Sequence, residues 1–129
     1  MRSNLILTVT SLLSIVLFTL HLSDDMVRGF STPGLDNFTA VAILVVFLYG
    51  ALLLPGRLSG YIIVFLGSLA AAGMPLIHLR GTHIVETVRS DGGFLFYWTV
   101  FSLGVTGVFG MILAARGMWE LRRGRAASV

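Results

Sequence analysis

The 129 residues include no cysteine, which excludes disulfides, thiolate metal sites and cysteine nucleophiles and leaves the redox compartment unspecified. Lysine is missing too: the nine basic residues are all arginine, a bias that fits a GC-rich bacterial genome. Charge of either sign is scarce, 12% of residues against about 25% in a soluble domain. No internal repeat, low-complexity tract, HExxH pair or GxSxG elbow is found, so zincin and α/β-hydrolase chemistry lack their signatures. Ser23 and Ser90 lie near histidines without a nucleophile context around them.

What is present is apolar. The chain is 56% hydrophobic with mean hydropathy +0.91, so water is not its main solvent. Four stretches free of Asp, Glu, Lys and Arg, at about 5–22, 38–54, 60–79 and 94–115, reach the roughly 17–25 helical residues that cross a hydrocarbon core. The expected fold is an all-α integral membrane protein, one domain over residues 1–129, built as an antiparallel bundle of four transmembrane helices. Arg2 before an apolar run has the outline of a signal peptide. The length of that run, and the lack of a small-x-small pair in FTLHLSDD, favour an uncleaved span.

Arginine sets the orientation. If the spans alternate, Arg2, Arg57, Arg116, Arg122, Arg123 and Arg125 fall on one side and Arg28, Arg80 and Arg89 on the other. The positive-inside rule then puts both termini in the cytoplasm, for a bacterial inner (plasma) membrane location. The WELRRGR segment reads first as a topology signal and second as an interfacial anchor, with Trp119 at headgroup depth and the arginines on anionic lipid. Arginines placed in this way argue against nucleic acid as a partner. The expected partner is the bilayer.

The loops differ in length. Pro55 and Gly56 make a tight turn between the second and third spans. The outer loops, 23–37 and 80–93, are longer, and Ile84, Val85 and Val88 give the latter a short apolar helical face. Thr99, Ser102, Thr106, Gly110 and Ala114 form a small-residue stripe on the fourth span, and Gly60, Gly67, Ala71 and His78 one on the third. Such stripes pack helices in lipid, within one chain, in a homo-oligomer or against another subunit of a membrane complex. Pro75 is expected to kink the third span, freeing the Ala71 carbonyl. Phe94, Phe96, Tyr97 and Trp98 read as an interfacial aromatic belt.

One segment does not fit a plain span end. In HLSDDMVRGF, a helix continuing the first span puts His21, Asp24, Asp25 and Arg28 at i, i+3, i+4 and i+7, one stripe that extends back through Ser14 and Thr10. Gly29 should end that helix. Parallel first and third spans bring His78 to the same end, with His83 and Glu86 in the following loop. Histidine and carboxylate are natural ligands of zinc, copper and iron, so His21, Asp24, Asp25, His78, His83 and Glu86 are the candidate metal ligands. Arg28 with Asp24 or Asp25 is the candidate structural ion pair. Haem held axially between His21 and His78 is a lesser alternative. Because none of the spacings is a strong metal signature, the first functional reading is a non-enzymatic accessory or assembly subunit with a polar His/Asp/Arg cap. The alternative is a metal- or cofactor-binding protein, redox or hydrolytic, using His21, Asp25, His78 and nearby acids.

Overall fold

The computed structural model describes residues 2–29, 34–79 and 84–126. Five helices follow in order: α1 (Arg2–Val27), α2 (Leu35–Leu53), α3 (Leu58–Leu79), α4 (Ile84–Arg89) and α5 (Gly93–Ala126). The described residues contain no strand. Three helices are long and apolar enough to cross a membrane, over Asn4–Val27, Leu58–Leu79 and Gly93–Gly124. The fourth stretch forms a shorter apolar helix, Phe38–Leu53. At 1.5 Å per residue its 16 residues span about 24 Å, less than the hydrocarbon thickness of about 30 Å.

The distribution of side chains is inverted relative to a protein folded in water. Leu5, Ile6, Leu13, Val45, Leu66, Phe101 and Phe109 are exposed on the outside. Ser11, Ser14 and Ser68 are fully buried at the centre. In lipid the exterior gains nothing from hiding leucine, and helices associate where small side chains let backbones approach.

Three faces build the centre. On α5 the buried line is Phe96, Val100, Leu103, Gly107, Gly110, Ala114 and Gly117, alternating steps of four and three. On α3 the inward line is Tyr61, Val64, Ser68, Ala71, Pro75 and His78, and on α1 it is Leu7, Ser11, Ser14, Phe18, His21 and Asp25, with the same alternation. This is the spacing of knobs-into-holes packing at shallow crossing angles. The expected stripe on α5 shares only Gly110 and Ala114 with the observed line, although Thr99 is also buried beside it. Ser102 and Thr106 are only half-buried, and Val100 and Leu103, larger residues, take the seam.

The α3–α5 interface is the most extensive, followed by α1–α5. Its contacts run in reverse order along the two helices. A side chain at Gly104 would meet the Pro75 ring, one at Gly107 the backbone of Ala72 and Ser68, and one at Gly117 the Tyr61 ring. Pro75 lies inside α3, which continues unbroken to Leu79, and Ala71 one turn earlier is fully buried. The second helix lies alongside α3, where Gly67 accepts the Phe47 ring and Gly50 faces Ile63. Near the start of α1, the Tyr61 hydroxyl donates to Asn4 Oδ1 at 2.6 Å and Thr8 Oγ1 donates to the Ala51 carbonyl at 3.2 Å. The starts of α1 and α3 and the end of α2 therefore share one end of the molecule, and their histidines share the other.

Candidate metal centre

The histidine end is assembled from three helices. The first helix carries its polar stripe outward to Val27, and Gly29, at φ +74°, turns the chain away. Glycine enters this left-handed region without steric cost. His21 and Asp25, one turn apart on α1, face His78 on the last turn of α3. Phe96, near the start of α5, closes the flank, its ring centroid 5.4 Å from His21 and 5.3 Å from His78. Phe96 therefore leaves the expected aromatic belt: it is buried at 2% exposure, whereas Phe94 and Trp98 stay on the surface.

Arg28 ties the cap together. Its Nε donates to Asp24 Oδ2 at 2.8 Å, Nη1 to Ser90 Oγ at 3.0 Å and Nη2 to the Asp91 carbonyl at 3.2 Å. Its guanidinium also lies 5.6 Å from the Phe96 ring centroid. The end of α1 is in this way fastened to the turn between α4 and α5. Asp24 is engaged here and does not join the donor atoms that converge at the centre.

The converging donors belong to His21, Asp25 and His78, all within 4.8 Å of one another. Asp25 Oδ2 lies 3.5 Å from His21 Nε2 and 3.9 Å from His78 Nε2. The tautomer of His78 follows from its neighbour. Its Nδ1 is 3.0 Å from the Met74 carbonyl, which can only accept, so Nδ1 carries the hydrogen. In the neutral ring, Nε2 is then a bare lone pair facing a carboxylate oxygen. At 3.9 Å the two acceptors share no hydrogen bond, and a cation between them, a metal ion or an added proton, would satisfy both. The Met74 carbonyl also fixes the orientation of the ring, as outer partners do for imidazoles that bind a metal.

Two further atoms, His21 Nδ1 and Asp25 Oδ1, are buried without a hydrogen-bond partner. An unpaired buried polar atom costs about 1–3 kcal/mol. Ligand distances of about 2.0–2.2 Å around zinc put neighbouring donors about 3.3 Å apart; the 3.5 and 3.9 Å separations come near that spacing, and the three donor atoms lie within 4.8 Å of one another. Haem does not fit. Axial ligation puts a porphyrin between the two imidazoles, and the His21 and His78 rings meet edge-on with centroids 4.6 Å apart.

Of the other candidates, His83 lies outside the described residues, and of Glu86 only its backbone, in α4, is described. Reading the sequence alone missed Phe96 as a wall of the site and Ser90 and Asp91 as anchors for Arg28. The spacing of Phe96 with Val100 and Leu103, four and then three residues, carried the first signal. The anchors are loop residues and left none. No protein-family model, curated protein or solved structure matches the chain.

Proposed function

We propose that this protein binds one divalent transition-metal ion through His21, Asp25 and His78, at the outer end of an antiparallel four-helix transmembrane bundle with both termini in the cytoplasm of a bacterial cell. The observation that carries the reading is the facing pair of acceptors, Asp25 Oδ2 and His78 Nε2, with His21 Nε2 as the third donor. Two imidazoles and one carboxylate suit zinc or non-haem iron, with copper a weaker match. Three protein donors leave at least one coordination position open, which is the arrangement of a reactive or transferring site and not of a closed structural one. The accessory or assembly role expected from the sequence becomes the setting: a subunit that holds a metal where a partner or small molecule can reach it.

Elemental analysis of the protein, purified in mild detergent without chelator or metal-affinity tag, tests this directly. About one zinc, iron or copper per chain is expected, lost in His21→Ala and in His78→Ala. A ratio near zero after reloading with metal would leave Asp25 bridging two imidazoles through a proton, a structural pairing only.

A further inference from the structure

The arginine-rich end carries a separate feature. The apolar part of α5, Phe94–Ala115, is about 33 Å long at 1.5 Å per residue, matching a hydrocarbon core of about 30 Å. The helix continues to Ala126. Trp119, four residues beyond Ala115, therefore lies about 6 Å past the core, inside a headgroup layer about 5–8 Å deep. Arg122 and Arg123 follow within the next turn, about 10–12 Å past the core, and their long side chains, tilted back toward the helix N-terminus, reach the level of the lipid phosphates.

The local pairing leaves both arginines available. Glu120 is engaged by Arg116, whose Nε donates to Oε1 at 2.8 Å. Arg122 and Arg123 are exposed and have no carboxylate partner among the described residues. Arg123 is not free to wander: its guanidinium stacks over the Trp119 ring at 4.9 Å from the centroid, and Trp119 is itself 59% exposed. Arg57, in the turn between α2 and α3, is exposed at the same end of the molecule. A topology signal needs only charge. Here an indole at headgroup depth holds a guanidinium in place, while the neighbouring acid is already neutralised.

We infer that Trp119, Arg122 and Arg123 form a binding site for the phosphate of an anionic phospholipid. The indole packs against the glycerol and upper acyl chain, and the guanidinium groups donate to the phosphate oxygens, Arg123 in a preset orientation. The site is independent of the metal centre at the opposite end.

Native mass spectrometry of the full chain, released from detergent with equal amounts of phosphatidylcholine and phosphatidylglycerol, reads the preference. The wild type should retain phosphatidylglycerol in excess, and the preference should fall about fivefold for each of Arg122→Gln and Arg123→Gln. The double variant should bind the two lipids alike, and His78→Ala should keep the full preference. Equal retention by the wild type, or a preference unchanged in the double variant, would overturn the site. So would an excess abolished by millimolar inorganic phosphate, which would assign it to a soluble anion.

Discussion

Among single residues, His78 has the most defined role, because the Met74 carbonyl fixes which ring nitrogen bears hydrogen. Asp24 and Asp25 are adjacent in sequence and indistinguishable there, yet a helix rotates successive side chains by about 100°. One therefore meets Arg28 and the other the two imidazoles. Their amides should behave oppositely. Asp25→Asn removes a charged donor and should weaken zinc binding more than about 100-fold, since even outer-shell partners are worth 10–100-fold. Asp24→Asn should leave the affinity within a few-fold while lowering thermal stability, because Arg28 loses its carboxylate. Titration calorimetry with zinc on both variants separates them, and equal losses would discard the assignment. Binding should also weaken as pH falls, since each imidazole must shed its proton before it can ligate. The i, i+4 relation of His21 and Asp25 was legible in the sequence. The pairing of Arg28 with Asp24 or Asp25 was legible too, and the structure gives it to Asp24; what the sequence left open was which of the two, because that depends on where the α4–α5 turn holds Ser90 and Asp91.

At the scale of elements, small residues were easy to find in the sequence but hard to place. Thr99, Ser102, Thr106, Gly110 and Ala114 form a stripe by composition, yet the buried line runs through Phe96, Val100, Leu103 and Gly107. In a soluble helix the polar side would have marked the exterior. In lipid that contrast disappears, because apolar residues occupy both the seam and the surface, and only the contact with α3 selects the face. At Gly107 that contact is with backbone: a methyl group there would strike the main chain of Ala72 and Ser68. Backbone cannot rotate aside as a side chain can, so α3 and α5 would have to separate. Gly107→Ala should cost about 1–3 kcal/mol and, by shifting Pro75 and His78 relative to Phe96, loosen the metal centre. Gly73, with nothing within 4 Å, provides the control: Gly73→Ala should match or slightly exceed wild-type stability. Thermal unfolding in detergent of the two variants checks the pair, and similar losses would mean that α3 and α5 do not pack as closely as described.

At the scale of the whole molecule, the number of crossings fixes on which side each end lies. Three crossings would place the termini on opposite sides of the membrane, and four would place them together. The apolar part of α2, Phe38–Leu53, is short for a bilayer. It nevertheless lies along α3, from Phe47 against Gly67 to Gly50 against Ile63, and Ala51 meets Thr8 of α1. A helix that packs at successive depths beside a span shares the membrane with it. A hydrophobic length about 6 Å short is accommodated by local thinning or by snorkelling of flanking residues, at fractions of a kcal/mol per Å. That cost is small beside the cost of bringing the α2–α3 turn, with the exposed Arg57, back through hydrocarbon. This supports the proposed four crossings, which would put the arginine-rich end on one face and Ser90 on the other. The absence of native cysteine makes this testable with single replacements. Ser90→Cys should react with a membrane-impermeant maleimide in intact cells, and Gly124→Cys only after the cells are opened. Arg57→Cys decides between the counts, because it should share the protection of Gly124→Cys. If Arg57→Cys were instead labelled from outside, α2 would lie on the surface, the chain would cross three times, and the ends of α1 and α3 would face opposite sides, which would rule out a centre shared by His21, Asp25 and His78.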